Sequence, residues 1–282
     1  SVMYPHQKQK GEVVPPARYQ AAVDTFCDLI NRHNVEVVAM GNGTASRETE
    51  AFVAKTLKSI DRDVKYIIVN EAGASVYSAS DLAREEFPDF SVEERSAISI
   101  ARRLQDPLSE LVKIDPKSIG VGQYQHDVSQ SKLADSLDFV VETAVNQVGV
   151  NINTASYSLL KYVAGLNAGT AKKIVAHREE NGRFENRNDI KVKGVGPKAL
   201  EQAMGFLRIV DGNEPLDMTA IHPESYEIAR AILTKLGFTS KDLGSTELVE
   251  KIKGLTEEEK KAMIEELNVG EYTSQDILDA FV

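Results

Sequence analysis

Between Asn151 and Arg208 the chain writes one short design twice, and this repetition restricts the fold more than any other stretch. The first copy runs Leu159-Leu160-Lys161-Tyr162-Val163-Ala164-Gly165-Leu166-Asn167-Ala168-Gly169-Thr170-Ala171-Lys172-Lys173-Ile174. The second runs Val192-Lys193-Gly194-Val195-Gly196-Pro197-Lys198-Ala199-Leu200. Each sets a glycine at a sharp turn, where the unusual φ is open to a residue without Cβ. A hydrophobic residue follows, Leu166 or Val195, to plug the hairpin, and a helix begins just beyond. The turn then offers bare N–H groups at the positive end of a helix. Gly165, Leu166, Asn167, Gly169, Lys172 and Lys173 in the first copy, with Gly194, Val195, Gly196 and Lys198 in the second, form a candidate phosphate grip. A grip of this kind touches nucleic-acid backbone rather than bases. One copy alone reads equally well as an αα-hairpin whose glycines only permit close packing. Two in tandem favour the nucleic-acid module. In the first, Asn167 takes the place of a second glycine and is expected to tolerate left-handed backbone there.

Charge supports the same stretch. The net charge of the 282 residues is −10, which taken whole argues against a polyanionic partner. Yet from Asn151 to Val210 ten bases (Lys161, Lys172, Lys173, Arg178, Arg183, Arg187, Lys191, Lys193, Lys198, Arg208) face five acids. From Asp211 to Val282 there are 16 acids against 7 bases. A basic island between acidic flanks reads as one localised binding face. The acidic tail reads as a protein contact or a solubilising surface.

Ahead of the island the pattern is α/β. Ala17 to Asn34 has helical spacing, Val35 to Met40 reads as a buried strand ended by Gly41-Asn42-Gly43, and Ser46 to Ser59 as a helix. Lys65 to Val69 is a second strand, ended by Asn70-Glu71-Ala72-Gly73. Helix, strand, helix, strand implies parallel strands with right-handed crossovers, with function at the strands' carboxyl ends. Glu71 lies there. It is either a metal-binding carboxylate of a nuclease-like site, which needs further acids beside it, or a carboxylate hydrogen-bonded to loop amides to hold the turn. A lone acid favours the second. Gly41-Asn42-Gly43 lacks the lysine of a P-loop.

Ser75 to Phe87 reads as a helix stopped by Pro88, and Ser91-Val92-Glu93-Glu94 as a capping box opening the next. On that helix Arg102 and Arg103 are read as reaching a phosphate or a neighbouring acid, at least one of them as solvated surface. Lys117 to Val128 is an irregular connector. A long helix then runs to Val148, its stripe of Leu133, Leu137, Val140, Val141, Ala144, Val145 and Val148 accounted for by core packing. Asn153 to Ser156 is read as the cap of the first hairpin helix. After Asp211-Gly212-Asn213-Glu214-Pro215 the chain is helical, with a capping box at Thr256 to Glu259. Ser1 to Pro16 shows no clear period, and with no first strand ahead of the α/β pattern the chain reads as an internal fragment.

The exclusions are few. Cys27 is the only cysteine, so a disulfide framework is out and a reducing cytoplasm is the natural setting. The five histidines carry no zinc spacing. No apolar run approaches a membrane span. No cofactor or metal is expected, and nothing points beyond a monomer.

Several blocks together carry a resemblance: Gly41 to Glu48, Asn70 to Ser80, Ala101 to Leu108, Gly120 to Val128 and Val150 to Ser156. They closely resemble the Tex family of bacterial transcription accessory proteins, itself similar to the core of a eukaryotic elongation factor of the Spt class. The resemblance implies an incomplete RNase H-like domain of the YqgF type (1–115), a connector and long helix (116–150), a tandem helix-hairpin-helix domain (151–210) and a small acidic helical domain (211–282): α/β followed by all-α. In the family, helices and the first strands come earlier and an OB-fold RNA-binding domain later. RNase H-like nucleases hold metal with acids on the first strand, the fourth strand and a late helix. Glu71 matches the second of these, Glu93 or Glu94 loosely the third, and the first strand is missing, so no cleavage is expected. The implied function is a non-catalytic scaffold that binds RNA or DNA backbone beside the transcription machinery. The rivals are a metal-dependent resolvase-like nuclease and a protein-docking platform.

Overall fold

The computed structural model describes Pro5 and residues 13–282, so most of the irregular opening lies outside the described residues. The chain divides into two compact units, Ser1–Gln130 and Ser131–Val282, and the division falls inside the segment read as connector and long helix.

The first unit holds helix α1 (Pro16–Arg32), strand β1 (Val37–Gly41), α2 (Ser46–Leu57), β2 (Lys65–Val69), α3 (Ala74–Ala79), α4 (Asp81–Glu86), α5 (Val92–Gln105), α6 (Pro107–Leu111) and α7 (Pro116–Ile119). The two strands pair in parallel, Val37 opposite Lys65 and Gly41 opposite Val69. Phe52 of α2 fills one side of this small sheet, edge-on to Tyr19 and Phe26 of α1 at 5.5 and 5.7 Å. With Ala22, Met40 and Val53 it makes a core of its own. The β1 strand is less buried than its apolar run suggested: only Met40 is fully enclosed, while Ile67 and Ile68 of β2 stay 42% and 48% exposed. Apolar run length cannot tell a covered face from an open one.

The helix expected from Ser75 to Phe87 is two helices, broken at Ser80, which turns extended and caps α4 by accepting from Ala83 N–H at 3.2 Å. The capping box at Ser91 and Glu94 forms as read, with bonds of 3.0 and 3.2 Å.

The second unit is helical. It contains nearly all of α8 (Gln130–Val148), then β3 (Val150–Asn151), α9 (Tyr157–Leu160), α10 (Ala168–Asn181), α11 (Pro197–Met204), β4 (Leu207–Arg208), α12 (Tyr226–Leu236), α13 (Thr246–Lys253), α14 (Glu257–Leu267) and α15 (Glu271–Ala280). Strands β3 and β4 pair in parallel and tie the two ends of the hairpin region together. After them, Leu216, Tyr226, Ile232, Leu233, Leu248, Met263, Ile277 and Phe281 build the core of the acidic helices. Gly237 ends α12 in the left-handed region, and Thr256 and Glu259 form the second capping box.

Core packing does not account for the α8 stripe. Of its seven residues only Val145 is buried, and Val140 and Val148 are 60% and 68% exposed. Among the described residues no helix is long and apolar enough to cross a membrane.

Candidate nucleic-acid interface

Both turns form as the glycines required. Gly165 has φ +86 and Gly194 φ +83. Each turn is closed by the same backbone bond, Leu166 N–H to Val163 C=O at 2.9 Å and Val195 N–H to Val192 C=O at 3.1 Å. Val195 is buried and Leu166 half-buried, while Asn167, Gly169, Gly194 and Gly196 lie exposed. Gly169 and Gly196 are not left-handed; Gly196 is extended and precedes Pro197 at the start of α11.

Asn167 departs from its expected conformation. At φ −140 it is extended, not left-handed, and caps α10. Its Oδ1 accepts from Thr170 N–H at 3.0 Å while its own N–H donates to Thr170 Oγ1 at 2.8 Å. The first turn therefore satisfies two of its amides from within. The amides of Ala168 and Gly169 stay without an intrahelical acceptor; at the second turn no side chain caps α11 and Pro197 has no N–H, so those of Gly196, Lys198 and Ala199 stay so.

The helix before the first turn begins at Tyr157 with Ser156 as N-cap, but no side chain makes the capping bond and Ser156 Oγ is buried without a partner. Asn153, read as part of that cap, instead clasps Phe184, accepting from its N–H at 2.8 Å and donating to its C=O at 2.9 Å. Sequence reading also missed Asn146 of α8. Its amide donates to Tyr162 C=O and accepts from Ala164 N–H, both at 2.9 Å, bracing the first turn from a helix well before it.

The basic island splits by residue type. Its arginines hold the fold. Arg178 donates to the carbonyls of Ile152 and Ala155, both at 2.8 Å. Arg208 donates to Gly205 C=O at 2.7 Å, and burial, with Arg187 nearby, pulls its pKa down to about 10. Arg183 donates to Asp211 C=O at 2.7 Å. Arg187 is wholly buried and cannot face a partner. It donates to the carbonyls of Met204 and Leu207 on the hairpin side and Leu216 and Ile221 on the acidic-helix side, at 2.7–3.1 Å. Its Nε reaches Tyr226 Oη at 2.9 Å and Asp217 at 3.4 Å. The planar fork of donors suits arginine to this work. The lysines stay outside: Lys161, Lys172, Lys173, Lys191, Lys193 and Lys198 are all exposed. Lys173 donates to Gly194 C=O at 3.0 Å, and Lys172 lies 4.9 Å over the Tyr157 ring.

In the first unit, Glu71 sits against Gly41 and Gly43, where a Cβ on either glycine would overlap its carboxylate. Its backbone N–H donates to Asn42 Oδ1 at 3.1 Å, so the side chain of the loop holds the backbone of Glu71. Arg103 donates to the carbonyls of Asn70 and Ala72 on either side, both at 2.8 Å. It is buried, and burial lowers its pKa against the charges of Glu110 and Glu71. Arg102 faces Glu110 and Glu86 at 3.7 and 3.9 Å, so neither arginine is a free phosphate contact. Glu94 is engaged in its capping box. Among the described residues no group of three or more His, Cys, Asp and Glu is placed to hold a metal ion.

Comparison with known proteins follows the same division. Residues 1–105 match the family model for the Tex protein YqgF-like domain, 145–208 the helix-hairpin-helix motif and 214–282 an HHH domain. The chain is 56% identical over 279 residues to the uncharacterized protein YdcI of Bacillus subtilis, covering 99% of this chain and 37% of the relative. It is 56% identical over 232 residues to the transcriptional accessory protein Tex of Neisseria gonorrhoeae, covering 81% and 31%. It is 44% identical over 304 aligned positions to the human S1 RNA-binding domain-containing protein 1, covering 89% and 31%. The chain thus spans about a third of the length of these relatives.

Proposed function

The chain belongs to the Tex family, and we propose that it binds the phosphodiester backbone of RNA or DNA, without reading sequence, as the non-catalytic core of a transcription accessory factor. One observation carries the reading: two glycine turns, each opening a helix, stand at the surface with exposed lysines around them, while Arg178, Arg187 and Arg208 of the island are spent on backbone carbonyls of the fold. Backbone amides and ammonium groups complement phosphate oxygens and not base edges. The relative from Neisseria gonorrhoeae supplies, by its name, the transcription setting. The factor acts as a monomer in the cytoplasm, a setting that the lone Cys27 fits.

Anisotropy titrations of single- and double-stranded RNA and DNA, at two ionic strengths, test this. Affinity is expected to fall steeply with salt, to vary little with sequence, and to vanish when Lys172, Lys173 and Lys198 are all replaced by Glu. Unchanged affinity in that variant removes the hairpins from the function. Cutting of any of the four substrates with Mg²⁺ or Mn²⁺ added, lost in Glu71→Gln, replaces the scaffold by the nuclease.

A further inference from the structure

The paired hairpins are alike in backbone and unlike in charge. Carrying Gly165 onto Gly194 carries Val163 onto Val192, Leu166 onto Val195 and Asn167 onto Gly196, and the two closing bonds coincide. Their packing is reciprocal. A Cβ on Gly165 would stand 2.8 Å from Ala199 C=O and 3.0 Å from Cβ of Gln202, both on α11. A Cβ on Gly194 would stand 2.9 Å from Nζ of Lys173, on α10. Lys173 and Gln202 are themselves counterparts in this register.

The same register sets Tyr162 against Lys191, Ala164 against Lys193 and Gly169 against Lys198. So at four places around the second turn stands a lysine where the first turn has an uncharged residue, while Lys161 and Lys172 of the first hairpin fall against Ile190 and Glu201. Three belong to the second hairpin, and the fourth, Lys173, is lent by the first through its bond to Gly194 C=O. Lys191, Lys193 and Lys198 are exposed and make no hydrogen bond, ion pair or ring contact with the described residues. The lysines peculiar to the first hairpin, Lys161 and Lys172, lie 5.0 and 4.9 Å over the rings of Tyr162 and Tyr157. The first turn also spends two amides on the Asn167–Thr170 box.

We propose that the pair takes phosphate asymmetrically: the second turn, with Lys173 in trans, is the anion site, and the first, whose own Lys161 and Lys172 lie over tyrosine rings, is the support that holds it. The strands of a duplex are related by local two-folds, and a module with two equal grips matches that symmetry. A module with one charged grip anchors a single strand, whether or not that strand is paired. The inference rests on the phosphate-binding function proposed above.

The test compares two sets of neutral substitutions in the 282-residue chain, titrated against a labelled single-stranded oligo-dT and a labelled DNA hairpin duplex. Lys191→Gln, Lys193→Gln and Lys198→Gln together are expected to weaken both substrates by about tenfold or more at low salt and to remove about two units from the salt slope, since each lost phosphate contact removes ~0.7–0.9. Lys161→Gln with Lys172→Gln is expected to change affinity by less than about threefold. Melting temperatures should stay together, because the substituted lysines of the second turn hold nothing in place. Equal losses in the two sets, a larger loss in the first-hairpin set, or a loss confined to the duplex overturns the asymmetry alone. Salt-independent binding or none by the unsubstituted chain overturns the phosphate function and the asymmetry with it.

Discussion

The Glu71 loop of the first unit and the Gly194 turn of the second use the same material, glycines at the end of a secondary-structure element, to opposite effect. At Gly41 and Gly43 the missing Cβ atoms make room for the chain's own carboxylate, and Asn42 and Arg103 fasten the loop around it. At Gly194 the missing Cβ makes room for the end of Lys173, and that side chain remains exposed beside an exposed turn. The first loop is filled from within and the second is open. A glycine-rich loop is therefore not a ligand site by composition. What decides is whether the space the missing Cβ atoms open is occupied by one of the protein's own half-buried side chains.

The same contrast runs between the arginines and lysines of the basic island, and the largest expected effect tests it. Arg187→Leu leaves Asp217 and four carbonyls without their buried partner and is expected to cost about 3–5 kcal/mol in urea unfolding. A loss below about 1 kcal/mol would mean that the hairpins and the acidic helices do not depend on this guanidinium.

Next come the two turn glycines, whose neighbours differ. A left-handed residue with a Cβ costs about 1–2 kcal/mol by itself, so Gly165→Ala and Gly194→Ala should both lower the melting temperature. Gly165→Ala should lower it more, because its Cβ meets the Ala199 backbone at 2.8 Å where Gly194→Ala meets only the flexible end of Lys173. In nucleic-acid titrations the order is expected to reverse, since only Gly194→Ala displaces that lysine. Identical behaviour of the two variants in both measurements would erase the distinction between support and grip.

A smaller effect is expected at the filled loop. Glu71→Gln removes a charge near Arg103 and should cost about 0.5–1 kcal/mol in thermal unfolding, with nucleic-acid affinity unchanged. Weakened binding in this variant would make the sheet end part of the interface.

The smallest effect is a pH dependence. Glu94 and Glu259 accept backbone N–H bonds from Ser91 and Thr256 in their capping boxes, and these hold both carboxyls below their ordinary range in the folded state. A depressed folded value means that the stabilisation is present above the unfolded carboxylate range and is lost as pH falls through the folded one. Glu94→Gln with Glu259→Gln should accordingly flatten the acid limb of a melting-temperature profile taken downward from pH 5. An unaltered limb would assign it to other carboxylates.

By itself the sequence determined the features that depend on local backbone chemistry. The two left-handed glycines, the parallel order of β1 and β2, the capping boxes at Ser91 and Thr256 and the span of α8 all follow from residue type at short range, because φ, capping and crossover handedness are decided within a few residues. Tertiary structure alone decided what each charged or apolar group was for. Arg187 and Lys193 belong to one basic run and read alike, yet one is wholly buried among carbonyls from segments up to 34 residues away and the other stands in solvent. Val145 and Val148 share one stripe, and only Val145 found a cover. Asn167 traded the left-handed turn expected of it for a capping bond with Thr170. Burial and hydrogen-bond satisfaction are properties of neighbours in space, and the linear pattern carries no record of which distant carbonyl a guanidinium will reach.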